Sequence, residues 1–237
     1  METMGVSGAS DWAFSTPCDT IGNDLKGLVP MIHRYLPSQG MSHRTLVLLH
    51  GTGGDENDLL DVAALIDPSA GILALRGDVV EQGQIRFFKR LAPGVFDQAD
   101  LTLRTNNLEA FLRDASVRYG FELDKTVLVG YSNGANIAAS LLLQTGVGIG
   151  GAILLHPMLP CQAKSVPDRP SIPVFMAASS NDPIVPFAST TTLEQELRSI
   201  QHDVTMRVGA SGHRLTMETI EAAKQWLPTQ PSSAKIR

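Results

Sequence analysis

Residues 130–134 read Gly130-Tyr131-Ser132-Asn133-Gly134, a G-x-S-x-G pentapeptide between a short, β-branched apolar run (Thr126 to Val129) and a run of good helix formers (Ala135 to Leu143). A strand that turns so sharply into a helix is compatible with a sheet carrying helical crossovers. The serine on such a turn is held in a strained backbone conformation. Its flanking glycines let strand and helix approach without a Cβ clash, and the hydroxyl is presented outward, an arrangement known as a nucleophile elbow. An isolated G-x-S-x-G is more often only a tight turn, but the strand before it and the helix after it favour the elbow.

The remaining patterns agree with that constraint. Strand-like runs surround Tyr35 and cover Leu46 to Leu49, Ile72 to Leu75, Val127 to Val129, Ala152 to Leu155, Val174 to Ala178 and Thr205 to Val208. Between them, Leu108, Phe111, Leu112, Ala115 and Tyr119 recur at helical spacing, as do Leu193, Leu197 and Ile200, and both stripes read as core-facing helix surfaces. The expectation is an α/β fold with a mostly parallel sheet flanked by helices. At 237 residues, 43% of them hydrophobic, the chain suffices for one well-buried α/β domain and is short for two. That domain is expected over residues 29–228. Residues 1–28, rich in Gly, Ser and Thr without periodicity, read as a flexible arm, and residues 229–237 as a disordered tail.

A serine hydroxyl is a poor nucleophile near neutral pH, so the elbow requires a base and a carboxylate to orient it, in the chain order Ser, Asp or Glu, His. Asp182 directly follows the apolar run ending at Ala178, and His213 follows the run ending at Val208. Ligand sites in open α/β sheets lie beyond the carboxyl ends of the strands, so Ser132, Asp182 and His213 are expected to meet at one edge. Of the six histidines, His33, His43 and His202 fall in edge or surface segments, where a solvated or capping role is the default. His156 ends a strand-like run but precedes Asp182, against the expected order, and reads as a neighbour of the site or part of its pocket wall. Asp168 and Asp203 compete with Asp182 less well, since neither directly follows a strand.

The run Leu46 to Leu49 continues into His50-Gly51-Thr52-Gly53-Gly54. Attack on a carbonyl places negative charge on its oxygen, which two preorganised backbone N–H groups can stabilise. Those of Thr52 and Asn133 are the expected pair. Nucleotide binding is disfavoured, because the turn lacks the Lys-Ser/Thr of a P-loop and the G-x-G-x-x-G spacing. Gly146 to Gly151 precedes a strand and is no fingerprint either.

Gly77 to Asp100 is long for a strand-to-helix connection and reads as a loop overhanging the site. It gathers Phe87, Phe88 and Phe96 with Arg86, Lys89 and Arg90, a mixture suited to an apolar or aromatic substrate bearing an anionic or carbonyl group. Anchoring of the loop to the core is an equal alternative for the aromatics. Arg76 is open in the same way, because buried arginines often tie loops together.

These motifs together resemble the α/β-hydrolase superfamily and, within it, the phospholipase/carboxylesterase branch. The resemblance covers roughly Met31 to Leu227. It is carried by Leu49-His50-Gly51-Thr52-Gly53-Gly54-Asp55-Glu56, the block from Leu75-Arg76-Gly77-Asp78 to Arg86-Phe87-Phe88-Lys89-Arg90, the elbow, Asn181-Asp182-Pro183-Ile184-Val185-Pro186, and Gly212-His213. The His-Gly-Thr-Gly-Gly turn, the Arg-Phe-Phe-x-Arg block and Leu-His-Pro at 155–157 are most similar to the MhqD-type bacterial carboxylesterases. Dienelactone hydrolases, a related group, use a cysteine where this chain has Ser132. Acyl-protein thioesterases typically carry Gln-Gly after the serine, where this chain has Asn133-Gly134. The resemblance implies a serine hydrolase of small or medium carboxylic esters working through an acyl-Ser132 intermediate. Thioesterase or lysophospholipase activity by the same groups, and a non-catalytic ligand-binding role for the fold, are the alternatives.

The net charge of −5 and the absence of a basic run favour neither nucleic acid nor an anionic membrane as partner. A small-molecule ester is the expected partner, with no cofactor or metal, and a homodimer is compatible with the sequence. Cys18 and Cys161 make neither a C-x-x-C nor a disulfide framework. The first residues lack the pattern of an export signal, and no apolar run reaches the ~20 residues of a membrane span. The cytoplasm is the expected location.

Overall fold

The computed structural model describes residues 31–39 and 42–227; the expected arm (1–28) and tail (229–237) lie outside the described residues. Elements follow in the order β1 (His33–Leu36), β2 (Thr45–Leu49), α1 (Leu60–Ile66), β3 (Gly71–Leu75), β4 (Val79–Glu81), β5 (Gln84–Arg86), β6 (Arg90–Ala92), β7 (Val95–Phe96) and α2 (Gln98–Tyr119). A short 3-10 turn at Leu123–Lys125 leads to β8 (Thr126–Tyr131), α3 (Asn133–Gln144), β9 (Gly151–Leu155), β10 (Pro173–Ser179), α4 (Phe187–Ser199), β11 (Asp203–Gly209) and α5 (Met217–Trp226).

Seven strands form one sheet in the order β1-β3-β2-β8-β9-β10-β11. Within this sheet, among the described residues, only the β1–β3 pair is antiparallel. Every expected strand lies in this sheet, and its mostly parallel, helix-flanked form is the expected α/β class.

Parallel strands covered on both faces must be apolar on both faces, which is why the central strands read as continuous hydrophobic runs. Alternate residues of β2 show the division. Val47 and Leu49 join a cluster with α2, α3 and α4, whereas Leu46 and Leu48 pack on the other face with α1 and α5. All twelve residues of α3 are buried, its polar stripe of Asn133, Asn136, Ser140 and Gln144 included, and each of those four side chains hydrogen-bonds inside the fold. Asp97 caps α2, its side chain accepting from the N–H groups of Ala99 and Asp100, and Gly120 closes the helix at φ 70°.

The segment from Gly77 differs from the single overhanging loop read from the sequence. It folds into two hairpins, β4–β5 and β6–β7, and α2 already begins at Gln98. The first turns through Gln82 and Gly83, at φ 53° and 75°, as a two-residue hairpin loop of the primed kind requires. The second turns through Pro93 and Gly94, with Gly94 at φ 72°. Strands of two or three residues with a glutamine in left-handed backbone carry almost no periodic signal, so the sequence pattern passes over them.

Candidate active site

Ser132 stands between β8 and α3 at φ 53° and ψ −112°, a backbone conformation rarely adopted by residues other than glycine. Its N–H donates to Leu155 O at 2.9 Å, which fixes the turn to the end of β9. A Cβ on Gly134 would run into the Leu49 and His50 carbonyls, and one on Gly130 into Gly134 O and the Ala135 backbone. Both motif glycines are therefore needed for close approach. The result is a half-buried hydroxyl at the carboxyl edge of the sheet.

Asp182 follows β10 and His213 follows β11, so neighbouring parallel strands deliver both to the same edge. His213 Nε2 lies 2.9 Å from Ser132 Oγ, and His213 Nδ1 lies 2.7 Å from Asp182 Oδ2. A neutral ring with its proton on Nδ1 donates to the carboxylate and turns its Nε2 lone pair toward the serine hydroxyl. Asp182 Oδ1 accepts from the Ile184 and Val185 N–H groups at 2.8 and 3.0 Å. Burial pushes the Asp182 carboxyl up, but the hydrogen bonds from His213, Val185 and Ile184 outweigh it and bring it below the ordinary carboxylate range. It is ionised at neutral pH.

The loop carrying His213 is held by groups that the sequence does not single out. Tyr131 Oη donates to His213 O at 2.6 Å. Asn181 spans the loop, its Oδ1 accepting from Gly212 N at 2.8 Å and its Nδ2 donating to Ala210 O at 3.1 Å. Both sit beside motif residues already recognised, which is the one clue the sequence offers.

His156, read from the sequence as a neighbour of the site or part of its pocket wall, lies beside Asp182. It is 2% exposed and, like Ser132, has φ 53°. Its Nδ1 lies 3.1 Å from Asp182 Oδ2 and its Nε2 3.2 Å from Arg214 O. Burial and the neighbouring His213 lower its pKa below the ordinary histidine value, against the opposing pull of Asp182. Among the described residues, His156, Asp182 and His213 could also hold a metal ion, with one ligand atom each within 4.8 Å of one another. Those atoms are engaged in hydrogen bonds to each other, so a metal would have to break the His213–Asp182 bond.

Thr52 and Asn133 come from turns at the carboxyl ends of β2 and β8, neighbours paired in parallel with Leu49 opposite Gly130. Gly51 lies against the elbow: a Cβ there would sit 3.0 Å from Tyr131 Cδ1 and 3.7 Å from Ser132 Cβ. Thr52 is exposed and Asn133 is 2% exposed as a residue.

Of the other expected substrate contacts, Phe87, Phe88, Phe96 and Arg86 turn inward, and Arg76 is half-buried. Phe87 and Phe96 are 3% and 8% exposed, and Phe88 has no accessible surface. All three belong to the larger core cluster, and Phe88 packs edge-on against Phe96 with centroids 5.0 Å apart. Aromatic rings in short hairpins gain more by anchoring those hairpins than by facing solvent. Arg86, 5% exposed, directs Nη1 at Thr52 Oγ1, 2.7 Å away, and lies 3.7 Å from Glu81. Arg76 is tied to Glu56, Nη2 donating to Oε1 at 2.9 Å. A separate groove of about 950 Å3 between β11 and α5, lined by Phe175, Thr205, Val208 and Trp226 among others, includes neither Ser132, Asp182 nor His213. Among the described residues no helix is long and apolar enough to cross a membrane.

Residues 91–230 match the model of the phospholipase/carboxylesterase family. The chain is 42% identical over 193 residues to MhqD of Bacillus subtilis (strain 168), covering 81% of this chain and 96% of that protein. Its fold superposes on the Bacillus cereus carboxylesterase with a TM-score of 0.80 at 44% identity, over 84% of this chain and 93% of that one. A carboxylesterase from Mesorhizobium loti gives 0.78 at 32% identity, over 86% and 97% of the two chains.

Proposed function

The chain belongs to the phospholipase/carboxylesterase family and is a carboxylic ester hydrolase, and from that premise we propose that it cleaves small or medium carboxylic esters through an acyl-Ser132 intermediate. The observation that carries this reading is the unbroken hydrogen-bonded chain from Ser132 Oγ through His213 to Asp182. His213 Nε2 takes the hydroxyl proton as Ser132 Oγ bonds to the ester carbonyl carbon. The carbonyl oxygen, now an alkoxide, is held by the Thr52 and Asn133 N–H groups. Its collapse breaks the bond to the alcohol oxygen, which leaves with the proton from His213. Water then attacks the acyl-Ser132 carbonyl with His213 again as base, releasing the carboxylic acid and restoring the hydroxyl. Asp182 stays ionised throughout, orienting the ring and stabilising the imidazolium that forms.

The test is Ser132→Ala assayed on a graded series of carboxylic and thioesters, together with labelling by a fluorophosphonate probe. Loss of both turnover and labelling in a folded variant is expected. Labelling that survives the substitution would remove Ser132 from the mechanism, and a thioester preference would revise the substrate class.

A further inference from the structure

Three consecutive residues of the first hairpin reach both turns assigned to the oxyanion. Ile85 O accepts from Gly53 N at 2.8 Å. Arg86 Nη1 donates to Thr52 Oγ1 at 2.7 Å. Phe87 N donates to Asn133 Oδ1 at 2.8 Å. The segment is itself pressed from a third side, because a Cβ on Gly77 would collide with Arg86 O and lie 2.9 Å from Phe87 N. Gly77 N meanwhile donates to His50 Nε2 at 3.0 Å, inside the same His-Gly-Thr-Gly-Gly turn.

The turns need such a support for different reasons. Thr52 and Gly53 are exposed, and Gly53 sits at φ 84°, so core packing does not hold them. Asn133 is buried, yet among the described residues its Nδ2 has no hydrogen-bond partner, which leaves the Phe87 N–H as the partner that orients its amide. Two donors on separate turns stabilise a transition state only when held within about half an ångström of the productive geometry. Arg86 fits a structural task better than a substrate-binding one: its guanidinium is buried, faces the Thr52 hydroxyl, and is flanked by Glu81 Oε2 and by Phe88 O at 3.4 Å.

We infer that Ile85-Arg86-Phe87 is a strut that fixes the Thr52 and Asn133 N–H groups relative to each other, with Arg86 the positioning residue whose bond to Thr52 sets the exposed half of the oxyanion site. This rests on the reading of Ser132 as nucleophile and of those two N–H groups as donors. The strut binds transition-state charge indirectly, so its loss should lower kcat and leave KM nearly alone.

The experiment compares Thr52→Val, Arg86→Met, Arg86→Lys and the double variant Thr52→Val/Arg86→Met with wild type. It measures kcat, KM, the thermal midpoint, and the affinity for an alkyl boronic acid that forms a tetrahedral anionic adduct on the serine. Thr52→Val and Arg86→Met should each lose about 10- to 100-fold in kcat, with a parallel loss of boronate affinity and KM within about threefold. The double variant should be no worse than the poorer single one, because both remove the same bond. Arg86→Lys should recover part of the loss, since an ammonium can also donate to Oγ1. Thr52→Val is nearly isosteric and decides the matter even where Arg86→Met folds poorly. Unchanged kcat and boronate affinity in Thr52→Val, or a lower thermal midpoint alone, would overturn the strut. Turnover that survives Ser132→Ala would instead overturn the reading beneath it.

Discussion

His156 Nδ1 lies 3.1 Å from Asp182 Oδ2, the same oxygen that His213 Nδ1 reaches at 2.7 Å. One carboxylate oxygen thus serves two imidazoles, while the other takes two backbone N–H groups. The shorter bond goes to the ring that also touches Ser132. The longer goes to a ring that turns its far nitrogen to the carbonyl of Arg214, the residue after His213. A neutral His156 carries one ring N–H and donates either to Asp182 or to Arg214 O, so it sits between the carboxylate and the loop that carries His213 and bridges the two only when protonated.

That arrangement ranks the histidines. His213→Ala and Asp182→Asn should each lower kcat by about 10³-fold or more, because the first removes the proposed base and the second presents the wrong hydrogen-bonding partner to it. His156→Gln, which can still donate toward Asp182, should cost about tenfold or less. Steady-state kinetics on one ester suffices, and a larger loss in His156→Gln than in His213→Ala would move the base role to His156.

Tyr131→Phe deletes one hydroxyl and its 2.6 Å bond to His213 O. Such a bond contributes about 0.5–1.5 kcal/mol, so the thermal midpoint should fall by a few degrees. The carbonyl it releases belongs to His213 itself, so kcat should also drop severalfold with KM unchanged. A lower midpoint with unaltered kcat would show the hydroxyl stabilising the fold without positioning the base.

The sequence made legible what repeats or recurs at fixed spacing. Continuous apolar runs give β2, β3, β8, β9 and β10, because parallel strands buried on both faces leave no polar alternation to confuse them, whereas β11 is read from its alternation and β1 from Tyr35 and its neighbours. Ser132, Asp182 and His213 were expected at one edge because each follows a strand, and the structure brings them within hydrogen-bond reach of one another. Contacts that depend on how a short segment folds back were illegible. Nothing in Gln82-Gly83 announces a hairpin, so the strut at Ile85 to Phe87 could not be seen. The aromatic pair beside it read as pocket or anchor alike until burial separated the two.

Phe88→Ala draws the practical consequence. The ring has no accessible surface and sits in the core against Phe96. Truncating it should destabilise the protein by about 3–5 kcal/mol, lowering the denaturant midpoint, while the ranking of small against bulky esters stays as in wild type. A changed ranking would return Phe88 to the substrate pocket.

The last prediction concerns acid. His202 is 4% exposed. Its Nδ1 accepts from Ile172 N at 3.2 Å, and its Nε2 lies 3.5 Å from Leu142 O. Burial lowers its pKa to about 4, with Arg169 adding to the effect and the Leu142 carbonyl opposing it. In the unfolded chain the same ring titrates near the ordinary value of about 6.5. Between these values the unfolded state binds a proton that the native state refuses, so stability rises with pH across the window. The contribution is complete above about pH 6.5 and is lost as pH falls toward 4. Protonation also takes the Nδ1 lone pair from Ile172 N–H, a bond that a buried backbone donor replaces with difficulty. His202→Leu should therefore be less stable than wild type near pH 7.5, having lost that acceptor, and should lose less on moving to about pH 5. His156, also lowered by burial, and the carboxylates contribute acid slopes of their own in both proteins. Only the difference between the two thermal-midpoint profiles is diagnostic, and parallel profiles would assign the acid sensitivity to those other groups.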